Sequence, residues 1–187
     1  PKSKGGLTVI YNQQHDICAS AARGIKLLLL DVDGVLTDGR LLFSNSGEEF
    51  KAFSTLDGHG IKVLIKSGIQ VGIITGRTSK LVEQRANDLG IKILVQGRED
   101  KLSALEEILA DNKIEKAAIC YVGDDFPDLA VMRAVGLSAS VPNGHPDVQS
   151  AASLITQHRG GEGAVREIAD YLLKAQGLYQ ALLDQCV

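Results

Sequence analysis

Two aspartates, Asp31 and Asp33, stand directly after the four leucines of Leu27–Leu30. If the leucines form a buried strand, the alternation of side chains along extended backbone sends both carboxylates to the same side and turns Val32 toward the core. Carboxylates held that close repel each other unless a cation or a shared proton lies between them. The spacing therefore indicates a site for a divalent metal ion, although an isolated pair of this kind more often caps a turn.

Three further groups of polar residues follow apolar runs later in the chain. The first offers a hydroxyl and backbone amides that suit a phosphoryl oxygen, the second is a lysine at the start of a helical pattern, and the third supplies carboxylates. In proteins built on a parallel sheet, ligands bind at the carboxyl ends of the strands. We therefore expect these three groups to lie near Asp31 and Asp33 in the fold. The groups are Thr75, Gly76 and Arg77; Lys101; and Asp124, Asp125 and Asp128.

Short apolar runs alternate with segments of helical period from residue 25 onward. This alternation predicts an α/β fold, a Rossmann-like parallel sheet with helices on both faces. The predicted strands are 25–30, 69–74, 91–95, 117–122, 136–140 and 153–155, and the helical patterns lie at 61–65, 81–89, 102–109 and 165–173.

One segment, residues 39–53, breaks the alternation. It holds two short β-prone runs around a polar Ser-Asn-Ser-Gly turn, which predicts an inserted hairpin. The hairpin would expose five apolar side chains, so a contact between subunits is a possible use, and a plain surface hairpin is the alternative. The apolar residues are Leu41, Leu42, Phe43, Phe50 and Phe53.

The composition is that of an ordinary globular protein. Of 187 residues, 44% are hydrophobic, and 20 Lys and Arg stand against 23 Asp and Glu, so nothing favours nucleic acid or a membrane surface as a partner. Three widely spaced cysteines favour a reducing compartment over zinc motifs or a disulfide framework. We expect a soluble cytoplasmic protein with a lead-in (1–24), a single domain (25–177) and a tail (178–187).

The order of the motifs, D-x-D, then Thr, then Lys, then G-D-D-x-x-D, resembles the haloacid dehalogenase superfamily, and the second aspartate resembles its phosphatase branches. The resemblance implies that Asp31 is a nucleophile that forms an aspartyl-phosphate, and that Asp33 is the general acid and base. It implies Mg²⁺ bound by the Asp31 carboxylate, the Asp33 backbone carbonyl and Asp124. Thr75 and Lys101 would contact the phosphoryl oxygens.

Supporting roles are implied for other charged residues. Of Asp125 and Asp128, one would support Lys101 or a metal-bound water, and the other would cap a helix. Arg77 would pair with the carboxylate of a sugar-acid substrate, and Arg85, eight residues on, is expected on the same helical face.

The intervals between the motifs are short. Between Asp33 and Thr75 there is room only for the hairpin and one helix, and between Arg77 and Lys101 only for one helix and one strand. The implied fold is therefore capless, so its site must accept a large substrate or receive a lid from a neighbouring subunit. A response-regulator receiver is disfavoured, because 91–95 ends without the aspartate that would accept phosphate there.

Within the superfamily, residues 25–177 are similar to the phosphatases of 3-deoxy-D-manno-octulosonate 8-phosphate. The similarity rests on the first motif, the hairpin, and the segments IITGR, VGDDFPDLAVM and HRGGEGAVREIAD. It implies a Mg²⁺-dependent phosphomonoesterase of lipopolysaccharide precursor synthesis, a homotetramer formed through the hairpins, and tails that reach a neighbour's active site. Gly160, Gly161 and Gly163 would let the chain pass close to the substrate and start an anion-binding helix.

Three alternatives stay open. One is a phosphatase of a nine-carbon keto-deoxy sugar acid phosphate, which is disfavoured by Arg77 because those enzymes tend to carry an acidic residue there. Another is a non-catalytic tetramerisation domain related to the C-terminal half of sugar-acid cytidylyltransferases. The third is a capless phosphatase of macromolecular ends or phosphoproteins.

Overall fold

The computed structural model of the protein describes residues 9–185. Its strands are β1 (Ile10–Tyr11), β2 (Leu27–Leu30), β3 (Leu42–Phe43), β4 (Glu49–Phe50), β5 (Gln70–Ile74), β6 (Ile93–Val95), β7 (Ile119–Val122), β8 (Leu137–Ser140) and β9 (Leu154–Ile155). Its helices are α1 (His15–Arg23), α2 (Thr55–Lys66), α3 (Lys80–Leu89), α4 (Lys101–Asn112), α5 (Leu129–Ala134), α6 (Pro146–Ala151), α7 (Ala164–Ala175) and α8 (Tyr179–Asp184).

Seven of the strands form one sheet in the order β1-β9-β8-β7-β2-β5-β6. The pairings of β2 with β5 and β7 are parallel, as are those of β5 with β6 and of β8 with β7 and β9, whereas β1 runs antiparallel to β9. The predicted α/β architecture is confirmed. β2 lies between two parallel neighbours, β5 and β7. The residues that follow β2 therefore emerge near the middle of the edge formed by the carboxyl ends of the strands.

The four leucines of β2 are buried because helices cover both faces of the sheet. Leu28 and Leu30 pack in a cluster with α1, α2, α3 and α7. Leu27 and Leu29 point the other way and pack with α4, α5 and α6. A strand with apolar neighbours on both faces is a rigid support for the residues at its tip.

The hairpin of β3 and β4 stands apart from the main sheet, with Phe43 opposite Glu49. The predicted absence of a cap domain agrees with the element order, because only the hairpin, α2 and β5 lie between Asp33 and Thr75. Leu42, Phe43 and Phe50 are exposed on the hairpin.

The two ends of the described chain pack on the same body. α1 contacts α7, and its Cys18 is buried in the core. α8 also packs on α7 of its own chain, and Tyr179 and Leu182 are half-buried there. Cys18 and Cys120 are both buried free thiols, and Cys186 lies outside the described residues. Within residues 9–185, no helix is long and apolar enough to cross a membrane.

Candidate active site

The loops that follow three adjacent strands, β2, β5 and β7, open into one cleft of about 370 Å³. The first residue of α4 also lines this cleft. The candidate catalytic, metal-binding and supporting residues named from the sequence all lie in its wall, and so do the candidate phosphate-binding and substrate-binding residues except Arg85 and the three glycines before α7. The lining residues are Asp31, Asp33, Gly39, Thr75, Gly76, Arg77, Glu99, Lys101, Asp124, Asp125, Pro127 and Asp128.

Lys101 is the buried cation of the cleft. Its ammonium nitrogen lies 3.0 Å from Asp31 Oδ1 and 2.6 Å from Asp128 Oδ1, and its side chain is only 4% exposed. Burial opposes the charged form, but the two carboxylates outweigh it and raise the pKa of Lys101 above its ordinary value. Lys101 therefore stays an ammonium ion and holds Asp31 in place.

Asp128 supports this lysine, and Asp125 has the capping role. Asp128 Oδ1 also accepts from the Tyr121 hydroxyl at 2.6 Å, and its Oδ2 accepts the backbone N–H groups of Asp124 and Asp125 at 2.9 and 3.1 Å. Asp125 caps the short 3₁₀ helix that follows it, with its Oδ1 accepting the Phe126 N–H at 2.8 Å. Both carboxylate oxygens of Asp128 are thus engaged within the protein.

Carboxylate oxygens of Asp31, Asp124 and Asp128 lie within 4.8 Å of one another. Burial, followed by the neighbouring carboxylates, raises the pKa of Asp31 to about 6 and that of Asp124 to about 8. Asp124 Oδ1 is buried without a hydrogen-bond partner in the described part of the chain. An unpartnered carboxylate oxygen beside a second carboxylate is the kind of donor set that Mg²⁺ prefers, so these residues fit a divalent cation.

Thr75 is fixed by its backbone at the end of β5. Its N–H donates to the Val95 carbonyl at 2.9 Å, and its own carbonyl accepts the Arg98 N–H at 3.2 Å. These bonds tie the start of the loop after β5 to the end of β6 and to the loop that follows β6. The Thr75 side chain is thereby held against the cleft that Asp31 also lines.

Asp33 is held by a network that reaches into the hairpin. The Lys51 ammonium forms an ion pair with Asp33 Oδ1, and Arg77 Nε lies 3.6 Å from Oδ2. Glu49 Oε1 lies 3.0 Å from an Arg77 guanidinium nitrogen and 3.5 Å from Lys51 Nζ. Glu49 Oε2 accepts from the Ser79 hydroxyl at 2.8 Å, and this bond is the main reason that the pKa of Glu49 is lowered.

Comparison with known proteins places this site in a family. A model of haloacid dehalogenase-like hydrolases matches residues 93–168. The 3-deoxy-D-manno-octulosonate 8-phosphate phosphatase of Yersinia pestis is 48% identical over 166 residues, which are 89% of each chain. The chain belongs to the 3-deoxy-D-manno-octulosonate 8-phosphate phosphatase family. The same phosphatase of Escherichia coli K12 is 46% identical over 176 residues, 94% of each chain.

Solved structures of the octulosonate 8-phosphate phosphatase family share the fold. The Yersinia pestis enzyme matches with a TM-score of 0.87 at 48% identity, over 88% of this chain and 89% of that one. The Moraxella catarrhalis phosphatase, solved with a magnesium ion, a phosphate ion and a KDO molecule, matches with a TM-score of 0.91 at 41% identity. That match covers 93% of this chain and 100% of the other. The resemblance drawn from the motifs is confirmed, and the chain is a phosphoric monoester hydrolase.

Lys51 and Glu49 are members of this phosphatase site that sequence reasoning missed. Both stand in a charged stretch, GEEFK, that is typical of a solvated loop. A signal was present in the alternation, because Glu49 and Lys51 flank Phe50 and must point away from it in extended backbone. Phe50 is exposed, so the charged side chains turn inward, contrary to the usual arrangement of a surface strand.

Arg85 lies outside the cleft of this phosphatase chain. Its guanidinium donates to the Ser54 carbonyl at 3.2 Å and lies 5.7 Å from the centre of the Phe53 ring. The expectation that Arg85 shares a helical face with Arg77 is wrong, because α3 begins at Lys80 and Arg77 belongs to the preceding loop.

Two of the three glycines before α7, Gly160 and Gly161, pack on the loop that follows β2, whereas Gly163 lies near His158. A Cβ on Gly160 would lie 1.7 Å from the Gly34 carbonyl oxygen, and the Gly161 N–H donates to the Val35 carbonyl at 2.9 Å. Asn143 joins the two segments, donating to the Gly34 carbonyl at 2.8 Å and accepting the Gly160 N–H at 2.7 Å. Gly160 and Gly161 thus serve a close approach of two backbones, directly beside Asp33.

The start of α7 is already occupied by a protein carboxylate. Asp57 of α2 accepts the Arg166 N–H at 2.8 Å and is 1% exposed. Burial raises the pKa of Asp57, and the backbone N–H groups at the start of α7 oppose that rise. The expected anion-binding role of this helix end is therefore filled by Asp57 from within the chain.

Proposed function

We propose that this chain hydrolyses 3-deoxy-D-manno-octulosonate 8-phosphate to the free sugar acid and phosphate, as a step of lipopolysaccharide precursor synthesis. The observation that carries the proposal is Asp31, fixed by Lys101 in an open cleft next to an Asp124 oxygen that has no hydrogen-bond partner among residues 9–185. Membership of the octulosonate 8-phosphate phosphatase family supports the assignment of this substrate.

In the first step, an Asp31 carboxylate oxygen attacks phosphorus, and the bond from phosphorus to the sugar oxygen breaks. Asp33 gives its proton to the leaving alkoxide, so the free sugar acid departs with a neutral hydroxyl. Lys101 and the hydroxyl of Thr75 donate to the phosphoryl oxygens, where charge must be offset in the transition state. The product of this step is an aspartyl-phosphate on Asp31.

In the second step, Asp33, now a carboxylate, takes a proton from a water molecule as that water attacks phosphorus. The bond between phosphorus and Asp31 breaks, and Asp31 returns to its carboxylate form with inorganic phosphate released. One residue thus serves as acid and then as base, which restores the enzyme after each turnover.

The carboxylates of Asp31 and Asp124 and the backbone carbonyl of Asp33 would hold Mg²⁺. When bound, the ion offsets negative charge on the phosphoryl group. The fit is supported by the excess of carboxylates over cations around Lys101 and by the buried Asp124 oxygen, which lacks a hydrogen-bond partner in the described part of the chain.

Arg77 would bind the carboxylate of the sugar acid. Its side chain is 44% exposed on the wall of the cleft, and within the described residues its guanidinium keeps N–H donors without a partner beside those that face Glu49 and Asp33. Phosphatases of nine-carbon keto-deoxy sugar acid phosphates tend to carry an acidic residue at this position, so Arg77 favours the eight-carbon acid as the substrate. The non-catalytic alternative is disfavoured because this chain matches the two named phosphatases over 89% and 94% of their own length.

The same proposal includes a cytoplasmic homotetramer joined through the hairpins. The exposed apolar residues of the hairpin support an interface, because a lone surface hairpin gains nothing from exposing them. The free buried thiols of Cys18 and Cys120 are compatible with a reducing compartment.

The test is phosphate release from a panel of substrates with and without Mg²⁺. The panel holds the eight-carbon and nine-carbon keto sugar acid phosphates, a sugar phosphate without a carboxylate and a phosphopeptide. We expect the eight-carbon acid to give the highest kcat/KM, and Asp31→Asn to lower it by roughly 10³-fold or more. The exposed Asp111→Asn is the matched control. Full activity of Asp31→Asn would contradict the mechanism, and a preference for another substrate would contradict the assignment.

A further inference from the structure

We propose that Lys51, carried by the hairpin, is a positioning residue for Asp33. The inference rests on the proposed function, in which Asp33 moves the proton of the leaving group. It adds to that function a residue that lies in none of the four motifs and that enters the site from the inserted segment.

The Lys51 side chain is 2% exposed, although it follows a strand whose apolar side chains face solvent. Its ammonium pairs with Asp33 Oδ1. A surface pair of this kind would contribute little, since two flexible side chains must be ordered in water. A buried ammonium has to keep its partner, so Lys51 restricts the Asp33 side chain to one orientation.

The orientation leaves one oxygen of Asp33 available for chemistry. Oδ1 faces Lys51, whereas among residues 9–185 the one charged partner of Oδ2 is the Arg77 Nε, 3.6 Å away and beyond hydrogen-bond range. An ammonium has three donors and no acceptor, so it anchors one oxygen without competing for the proton that the other oxygen transfers. General acid catalysis is sensitive to this placement, because the acid must reach the leaving oxygen within hydrogen-bond distance.

Lys51 is itself held by Glu49. Glu49 Oε1 lies 3.5 Å from Lys51 Nζ, and the other Glu49 oxygen accepts from Ser79, directly before α3. The Ser79 N–H in turn donates to the Gln96 side chain at 2.9 Å. The hairpin is thereby tied to the main body at the point where it delivers Lys51, so its position sets that of Asp33.

The experiment compares Lys51→Met with wild type on two substrates that differ in leaving group. An alkyl phosphate such as the sugar acid phosphate needs a proton on its leaving oxygen, whereas p-nitrophenyl phosphate releases a stabilised phenolate that leaves without one. We expect kcat/KM for the sugar phosphate to fall roughly 10- to 100-fold and kcat/KM for p-nitrophenyl phosphate to fall much less. Lys92 is exposed and directly precedes β6, at the end of the strand that points away from the cleft. Lys92→Met is the matched control and should change neither kcat/KM value.

A double-mutant cycle tests whether Lys51 acts through Asp33. Asp33→Asn removes the proton donor, so adding Lys51→Met to it should cost less than about twofold in kcat/KM. Lys51→Arg keeps a cation and should recover part of the sugar phosphate activity. If Lys51→Met fails to fold in a thermal melt, Lys51→Gln replaces it in every comparison.

Equal losses on the two substrates, or full additivity with Asp33→Asn, would overturn the role of Lys51. If wild type turns over p-nitrophenyl phosphate and another alkyl phosphate but no keto sugar acid phosphate, the result contradicts the proposed substrate and leaves the role of Lys51 to be tested. That alkyl phosphate then serves the same comparison. No turnover of any phosphate ester would overturn both proposals.

Discussion

At the scale of single residues, the site holds more negative than positive charge, and the surrounding protein fixes the charged side chains in place. One ammonium, Lys101, faces Asp31 and Asp128, and Asp124 adds a third carboxylate. Asp128 is fully buried and forms hydrogen bonds with both oxygens, so its charge is the best compensated. The uncompensated charge falls on Asp31 and Asp124, where a divalent cation would be bound.

The pH dependence of Mg²⁺ binding follows from these two residues. Because the folded, metal-free protein raises the pKa of Asp31 to about 6 and of Asp124 to about 8, it binds their protons more tightly than the unfolded chain does. Their contribution to folding stability is therefore present at low pH and lost as pH rises through these two values. Mg²⁺ needs both carboxylates deprotonated and reverses the effect.

We expect the Mg²⁺-induced rise in melting temperature to be small near pH 5 and to grow up to about pH 8 to 9. Thermal melts with and without Mg²⁺ across that range measure it. Asp124→Asn should remove most of the rise, and Asp111→Asn should leave it intact. A rise that is the same at all pH values would contradict the assignment of these two ligands.

At the scale of elements, two contacts between distant segments hold the site in shape. Asp57 joins α2 to the start of α7, and Gly160 brings the segment before α7 against the loop that follows β2. The first contact joins two helices that carry no catalytic residue, and the second binds the loop of the nucleophile to the segment before α7. They predict different outcomes, one in stability and one in activity.

Asp57→Ala should lower the free energy of unfolding by about 1 to 2 kcal/mol, because the amides at the start of α7 lose their cap. Asp57→Asn should cost less, since its amide oxygen can still accept the Arg166 N–H. Urea unfolding measures both, with Asp111→Asn as a surface control expected to change stability by less than about 0.5 kcal/mol. Equal stability of Asp57→Ala and wild type would rule out the capping role.

Gly160→Ala should reduce kcat by roughly 10-fold or more, since the new Cβ must push the Gly34 carbonyl away and shift the adjacent Asp33. Gly24→Ala is the matched control, with a φ of −93° and its nearest contact at 3.5 Å. Steady-state kinetics on folded protein measure the effect. Wild-type kcat in Gly160→Ala would show that the two backbones need not touch.

At the scale of the whole molecule, the hairpin has two faces with opposite character. Its inner face brings Lys51 against Asp33 and Glu49 against Arg77 in the wall of the cleft, while Leu42, Phe43 and Phe50 are 53 to 57% exposed on the outer side. An outer face of this kind favours a second copy of the chain as its partner. Assembly and catalysis would then share one inserted segment.

Phe43→Glu should dissociate the proposed tetramer, because a charge in an apolar interface cannot be solvated there. Light scattering on a sizing column should give about four times the chain mass of 19.9 kDa for wild type and a smaller mass for the variant. Ile17→Glu places the same charge on α1 at a side chain that is 55% exposed and should leave the mass unchanged. A monomeric wild type would contradict the assembly.

The sequence by itself determined the alternation of strands and helices, the buried strand of Leu27–Leu30, and the order in which Asp31, Thr75, Lys101 and Asp124 meet at one edge. These features are local, because periodicity and the end of each strand are written in neighbouring residues. A strand end is also where a parallel sheet gathers its ligands, so local patterns were enough to place most of the site.

Only the tertiary structure decided which side chains form ion pairs and hydrogen bonds with residues that are distant in sequence. Lys51 meets Asp33 across 18 residues of chain, Arg166 meets Asp57 across 109, and Arg85 turns away from the cleft. Such pairings depend on how whole elements pack, and no local pattern encodes the distance between two segments. Burial then gives these contacts their effect, because a charge or an amide removed from water has to find its partner within the protein.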